Sequence, residues 1–190
     1  MQLANSKWQV DAAHSHITFT VKHMMISKVR GSFSKFDAEI DADPENLTGA
    51  SISFNIEVPS IDTDNEDRDN HLRSADFFDA EQYPEIRFKS TEIRQTADGE
   101  YDVKGDLTIK GTTKQVVFEA EYGGRATNPW GQEVVAFEAE GKINRKDFGL
   151  TWNQALETGG VLVGEDVKLK IELEATAGQP DTAEAEEESL

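Results

Sequence analysis

Apolar and polar residues alternate strictly over most of the chain, and this two-residue period predicts β-strands. The rows at 17–21, 52–58, 135–143 and 167–175 each place apolar side chains on one face and mostly polar side chains on the other. Strands with one dry and one wet face are typical of antiparallel sheets. About eight such rows, separated by turn signals such as Asp98-Gly99, predict an all-β fold built as a single antiparallel β-barrel. A two-sheet sandwich is the alternative, because patterning does not determine closure.

Two segments depart from the alternation. The rows 29–33 and 36–40 have opposite parity, which one extra residue near Ser34-Lys35 would explain as a β-bulge. Residues 64–80 lack a strand period and follow a capping box, in which Thr63 is the expected N-cap and Glu66 reaches back to it. We therefore predict one or two short helices around residues 64–80, inserted between strands and lying over one rim of the barrel.

Small residues stand in the middle of several inward rows, where a filled core would need Leu or Ile. Gly105, Ala120, Ala139 and Gly141 either leave a cavity or offset bulky Phe neighbours on the facing wall, and the pattern leaves both readings open. Strands of about ten residues would enclose a long lumen that suits an extended apolar chain. The residues predicted to line this lumen and contact a ligand are Ile17, Phe19, Val21, Phe33, Phe36, Ile52, Phe54, Phe88, Leu107, Phe118, Ala120, Phe137, Ala139, Leu169 and Ile171.

Composition and charge narrow the function classes. The chain carries 19 basic and 37 acidic residues, a net charge of −18. This acidity argues against a nucleic-acid partner and against peripheral docking on anionic lipid, which both need basic surfaces. Cysteine is absent, so there is no disulfide or thiolate chemistry. We see neither a signal peptide nor a stretch long enough to span a membrane, and therefore expect a cytoplasmic protein without stable membrane insertion. Whether the protein forms a homodimer is left open by the sequence.

The segment 178–190, GQPDTAEAEEESL, differs from everything before it. It carries five acidic residues, no basic residue and no apolar period. We interpret it as an acidic disordered tail that keeps the chain solvated. The predicted organisation is therefore one β-barrel domain over residues 1–177, followed by this tail.

Histidine is the residue type that suggests metal chemistry. His14 and His16 are two apart, so on a strand they would share a face and could chelate a metal ion. No third ligand is fixed beside them by the sequence, and Asp11 is only a candidate. We favour the interpretation that both satisfy backbone groups where a strand begins, and predict no metal site.

A second cluster lies in the helical segment. On a helix, Arg68 and His71 project to one side, where they could bind an anionic or carbonyl head group, with Arg73 close by. The alternative is an internal salt-bridge network with Asp64, Asp67 and Asp69 that holds the helix against the barrel, and this interpretation is slightly favoured.

Several segments together resemble the YceI family of lipocalin-like, polyisoprenoid-binding proteins. The matching stretches are HSHITFTVKHM, GSFSKFDAEI, IDTDNEDRDNHLRSADFFDAEQYPEIRFKST, DLTIKGTTKQV, INRKDFGLTWN and VGEDVKLKIELEA, which run from Trp8 to Ala175 in the family's order. The resemblance implies a lipocalin-like antiparallel barrel with a hydrophobic lumen that binds isoprenoids such as prenyl diphosphates or quinones without catalysis. Two features depart from the common pattern: many relatives have a signal peptide, and the acidic tail is an addition.

The expected function is therefore the non-catalytic binding, storage or transport of a long-chain isoprenoid lipid, with no resident cofactor. The candidates for the head-group contacts are His14, Arg68, His71 and Arg73. An enzyme acting on such a lipid through His14, His71 and a nearby Asp, or a metal or haem protein using His14, His16 and His71, is the alternative.

Overall fold

The computed structural model describes residues 6–177 as eleven β-strands and one α-helix. The predicted tail at 178–190 lies outside the described residues, so the two-part organisation stays a prediction. The strands are β1 (Ser6–Val10), β2 (His16–His23), β3 (Ser27–Phe33), β4 (Phe36–Asp43), β5 (Asn46–Glu57), β6 (Ile61–Asp62), β7 (Glu85–Ala97), β8 (Glu100–Ile109), β9 (Thr112–Thr127), β10 (Glu133–Asn144) and β11 (Val163–Ala177), and the helix is α1 (Glu66–Arg73). Short 3₁₀ helices span Ala12–His14, Val58–Ser60 and Arg145–Phe148.

Eight strands close into one antiparallel barrel, in the order β1-β4-β5-β7-β8-β9-β10-β11. The five-residue strand β1 completes the ring, because Trp8 pairs with Ile40 of β4 on one side and with Ala177 of β11 on the other. The predicted antiparallel barrel of about eight strands is thereby confirmed, and the sandwich alternative is wrong.

Strands β2, β3 and β6 extend the sheet beyond this ring. The long strand β11 pairs with β1 near its end and with β2 over its earlier part, where Ile171 faces Ile17. Strand β3 pairs with β2, and the two-residue β6 pairs with β3. The predicted bulge at Ser34-Lys35 is instead a break between β3 and β4, and Ser34 N donates to Ser60 O at 3.3 Å.

The two ends of the barrel differ in their connections. One end, named here the helix end, carries the β2–β3 hairpin, the β8–β9 turn, the β10–β11 connection and the β5–β7 connection with α1. The other, the closed end, carries the β4–β5, β7–β8 and β9–β10 turns. Within residues 6–177 no helix is long and apolar enough to cross a membrane.

The helical segment contains one α-helix, followed by turns, and its start differs from the prediction. Asn65, not Thr63, is the N-cap, and its side chain accepts a hydrogen bond from Arg68 N at 3.0 Å. Thr63 is buried, and its hydroxyl donates to Asp69 Oδ1 at 2.6 Å. Because Asp69 engages this hydroxyl, Thr63 is unavailable as a cap, and α1 begins at Glu66.

Candidate functional site: an apolar cavity in the barrel

The barrel contains an apolar cavity that is partly open to solvent. The side chains around it are hydrophobic apart from Arg145, which is the one polar member among the described lining residues. Almost every strand of the barrel contributes to the wall, and Leu72, Phe77 and Phe78 of the helical segment complete it. The wall is therefore suited to an apolar ligand.

Of the fifteen residues predicted to line the lumen, all but one lie on the cavity wall. These are Ile17, Phe19, Val21, Phe33, Ile52, Phe54, Phe88, Leu107, Phe118, Ala120, Phe137, Ala139, Leu169 and Ile171. The exception is Phe36, which packs half-buried against the hydrophobic core but does not line the cavity. Phe36 is the first residue of β4, directly after the strand break. The alternation of apolar and polar residues predicted that its side chain points inward, but alternation does not indicate how far along the strand the lumen extends. Contact of any of these residues with a ligand stays a prediction.

The two inward glycines do not leave space unfilled. A methyl group at Gly105 would lie 2.5 Å from Phe88 Cζ, and one at Gly141 would lie 2.5 Å from Phe118 Cδ1. Each glycine is therefore covered by a phenyl ring from the neighbouring strand. The interpretation that Gly105 and Gly141 contribute cavity volume is wrong, and the alternative, that they offset bulky Phe side chains, is correct for them, although the rings come from adjacent strands rather than the facing wall.

The two alanines behave differently. Ala120 and Ala139 are cross-strand partners on β9 and β10, and both line the cavity. On the same side of the barrel, Phe137, Leu169 and Ile171 point inward yet are only half-buried. Inward apolar side chains that keep accessible surface show that this part of the lumen is not packed solid.

Some large side chains differ in burial between the two ends of the barrel. At the closed end, Trp8, Leu47 and Tyr101 retain only 6%, 3% and 2% of their accessible surface, and Trp8 Nε1 donates to Ala42 O at 3.1 Å. At the helix end, Leu72, Phe78 and Val163 line the cavity and remain half-buried. Large side chains thus seal one end, while the other retains accessible apolar surface.

Arg145 sits in the wall at the helix end and was missed by the sequence prediction of site residues. Its guanidinium donates to four backbone carbonyls: Nε to Gly164 (2.7 Å), Nη1 to Leu150 (2.6 Å) and Trp152 (2.9 Å), and Nη2 to Val163 (3.2 Å). Burial lowers the pKa of Arg145, and the negative charge of Glu165 opposes that shift. The sequence did indicate an inward position for Arg145, because this residue continues the inward-facing row of Phe137, Ala139, Gly141 and Ile143.

Arg68 and Arg73 were predicted as head-group contacts, and the structure engages them with the backbone of their own segment. Arg68 donates to Thr63 Oγ1 at 2.8 Å and to Thr63 O at 2.7 Å. Arg73 donates to Pro59 O at 3.1 Å and to Ile61 O at 3.2 Å. Neither lines the cavity. Both hold α1 against the chain before it, but through carbonyls rather than through the predicted network with Asp64, Asp67 and Asp69.

His71 lies nearest to the lumen among the predicted head-group residues. Its Nε2 is 2.9 Å from Asp76 Oδ2, and its ring packs edge-on against Phe77, a lining residue, at 5.0 Å and against Trp152 at 4.7 Å between ring centroids. The imidazole is thus held at the helix end, one side chain away from the cavity.

His14 lies elsewhere, after β1, where it pairs with Asp11 at 2.8 Å. This hydrogen bond raises the pKa of His14 and lowers that of Asp11. Among the described residues, the one group of three potential metal ligands is Asp11, His14 and Glu174. His16 and His71 do not join it, so the histidines do not form the cluster that the metal or haem alternative needs.

Comparison with known proteins agrees with this architecture. The family model of the YceI-like domain matches residues 8–175. A UPF0312 protein of Staphylococcus epidermidis is 46% identical over 170 residues, which cover 89% of this chain and 96% of that protein. A UPF0312 protein of Staphylococcus aureus is 42% identical over 165 residues, 86% of this chain and 94% of its own length.

Solved structures show the same fold. The Campylobacter jejuni YceI protein has a TM-score of 0.71 and 35% identity, covering 83% of this chain and 90% of that one. BcnA of Burkholderia cenocepacia has a TM-score of 0.77 and 28% identity, covering 88% of this chain and 99% of its own. With its barrel, its apolar lumen and a family match from the first strand to the last, the chain belongs to the YceI family.

Proposed function

We propose that this protein binds a long-chain isoprenoid lipid, of the prenyl diphosphate or isoprenoid quinone type, in its barrel lumen and stores or transports it without catalysis. The observation that carries the proposal is the cavity, whose described wall is apolar apart from Arg145. A wall with so few polar groups selects a ligand by its apolar length.

The energetics favour such a ligand. Each buried methylene contributes roughly 0.8 kcal/mol, so a prenyl chain of several units needs no strong polar contact to be held. Ordering the chain removes part of this gain. The head group would then lie at the helix end, near His71, whose ring touches the lining residue Phe77. None of the four candidates lines the cavity, and His71 is favoured among them because its ring packs against the lining residue Phe77.

A further structural relative supports this assignment in part. A domain from Saccharophagus degradans, described as polyisoprenoid-binding and implicated in plant cell wall breakdown, has a TM-score of 0.69 over 90% of this chain and 98% of its own. At 14% identity it shares the fold alone. The proposal for this chain therefore rests on its own cavity and its family.

Filling the lumen tests the proposal. Ala139→Phe and Ala120→Phe each place a ring where the lipid would lie, whereas Ala126→Phe places one on the exposed outer face of β9 as a control. Melting would be measured with and without a long-chain prenyl lipid. A ligand at 100 times its Kd stabilises the fold by about 2.7 kcal/mol. We expect this gain in the wild type and the control, and its loss in both lumen variants, which should still fold.

A different result of the same experiment would contradict the proposal. In a solid core the same substitutions overpack and cost typically 1–3 kcal/mol. If both lumen variants were destabilised to that degree and the wild type gained nothing from the lipid, the barrel would have no lipid site. Native mass spectrometry of the full chain, which would detect a bound lipid by its mass, gives an independent measurement.

A further inference from the structure

Positive charge is gathered on one outer face of this acidic protein. The neighbouring strands β10, β11, β2 and β3 present six exposed basic side chains on their outward positions. These six residues, named here the basic face, are Lys22, Lys28, Arg30, Lys142, Lys168 and Lys170. The whole chain has 19 basic against 37 acidic residues. The same strands also carry Glu140, Asp166 and Glu172. Because Lys142 pairs with Asp166 and Lys170 with Glu172, the positive charge without an ion pair among the described residues lies on Lys22, Lys28, Arg30 and Lys168.

The arrangement of the basic face is unfavourable for folding. Lys22 lies directly opposite Lys28, and Lys142 directly opposite Lys168. Like charges in such cross-strand positions repel and destabilise a sheet. Among the described residues, Lys22, Lys28, Arg30 and Lys168 form no ion pair that would relieve this repulsion. An anionic partner would supply the missing negative charge.

The sign of the charge changes along the same strands. On β11, Lys168 and Lys170 lie between Glu165 and Asp166 on the helix-end side and Glu172 and Glu174 on the closed-end side. On β10, Lys142 is nearer the helix end, and Glu140 and Glu138 are farther from it. An anionic surface would therefore attract the basic face and repel the acidic closed-end parts of β10 and β11, which turns the neighbouring β2–β3 hairpin toward that surface.

An exposed apolar tip adjoins the basic face. The β2–β3 hairpin turns at Met24, Met25 and Ile26, which are 44%, 60% and 86% exposed. Met24 and Met25 have φ values of +52° and +65°, a conformation that favours Asn and Gly over any long side chain. Apolar residues at a turn where they are both strained and exposed to water are not explained by stability.

The tip lies beside the cavity. His23, the residue before it, pairs with Val163, a lining residue, and Met24 N donates to Leu162 O at 2.8 Å. The lysines also border a shallow groove where β11 is irregular, and Gly164, Glu165 and Asp166 line the same groove. Basic side chains, an apolar tip and the accessible end of the lumen thus share one region of the molecule.

We propose that the basic face and the tip 24–26 together dock the helix end onto the surface of an anionic lipid bilayer. The lysines and Arg30 would contact lipid phosphates, and the tip would enter the boundary between head groups and acyl chains. The net charge of −18 argued against such docking, but charges beyond a Debye length of about 8 Å are largely screened, so the local face decides. The inference goes beyond lumen binding and does not depend on it.

The test uses the full chain and vesicles without isoprenoid lipid, so lumen binding plays no part. We expect co-sedimentation with phosphatidylcholine vesicles that contain about a third phosphatidylglycerol, weakened at about 0.5 M salt, and little with phosphatidylcholine alone. The variant Lys22→Gln/Lys28→Gln should bind about tenfold more weakly or worse. Lys89→Gln/Lys104→Gln, which removes the same charge from the outer faces of β7 and β8, should bind like the wild type.

The tip has its own pair of variants. Met24→Asn/Met25→Gly/Ile26→Ser gives the turn residues that suit positive φ, so the melting temperature should hold or rise while vesicle binding falls several-fold. Trp130→Ser removes a side chain that is 82% exposed at the closed end and should leave binding unchanged. Docking is overturned if the wild type does not bind the anionic vesicles, or if the control variants lose as much binding as the variants of the basic face and tip.

Discussion

The two ends of the barrel are built from the same alternating pattern and differ in what fills them. At the closed end, Trp8, Leu47 and Tyr101 are buried, and the short strand β1 completes the ring there. At the helix end, Leu72, Phe78 and Val163 face the cavity and remain half-buried. The difference teaches that alternation identifies a dry face without saying whether that face meets protein or an open lumen.

Removing the aromatic seal should have the largest effect. Trp8→Ala takes away a buried indole, its hydrogen bond to Ala42 O and the packing of the closing strand. We expect a loss of roughly 3–5 kcal/mol in the free energy of unfolding, measured by urea denaturation. Trp130→Ala, at an 82% exposed position, should cost less than about 0.5 kcal/mol. A loss for Trp8→Ala as small as for this control would show that the closed end does not hold the barrel together.

Substitution of Arg145 tests the helix end of the barrel. Arg145→Leu leaves carbonyls of the β10–β11 connection without donors in a buried position, so we expect a loss of roughly 2–4 kcal/mol by the same measurement. Arg94→Leu breaks an exposed pair with Asp102 and should cost less than about 1 kcal/mol. Equal effects of the two substitutions would mean that water replaces the Arg145 donors and that the helix end is open more widely than the structure shows.

A pair of leucines compares the two ends directly. Both leucines line the cavity, but Leu47 is buried near the closed end, whereas Leu169 is half-buried. Leu47→Ala should cost about 2–5 kcal/mol, because it leaves an internal void. Leu169→Ala enlarges space that is already accessible and should cost about 1 kcal/mol. Similar losses of unfolding free energy for both would contradict a lumen that is open at rest.

The smallest effect is expected outside both ends, at the exposed pair of His14 and Asp11. Their hydrogen bond raises the pKa of His14, so its contribution to stability is present below the unfolded-state pKa and is lost as pH rises through the folded-state value. Asp11, with a lowered pKa, contributes above its unfolded-state value and loses that contribution as pH falls through its folded-state value. NMR titration should show the pKa of His14 falling toward its ordinary value in Asp11→Asn, with little change in melting temperature. An unchanged His14 pKa would mean that the pair does not form.

Local pattern was sufficient for the fold class and for most of the cavity wall. Side chains alternate across a strand with a period of two, so residues such as Phe19, Val21, Leu169 and Ile171 could be assigned an inward face from the sequence alone. The two-residue period of β10 also continues to Arg145, but this residue was not assigned to the cavity wall because its side chain is charged. The charged residues on the outer face of β11 could also be identified from the sequence, where Lys168 and Lys170 precede Glu172 and Glu174.

What the sequence by itself determined is therefore the two-faced strands, the antiparallel barrel that they predict, and the family. Only the tertiary structure decided that β1 closes the ring, that the Phe88 and Phe118 rings cover Gly105 and Gly141, and that lysines distant in the chain form one face. Each of these depends on which residues become cross-strand neighbours. That register is a relation between strands, set by the closure of the whole barrel, and no local period contains it.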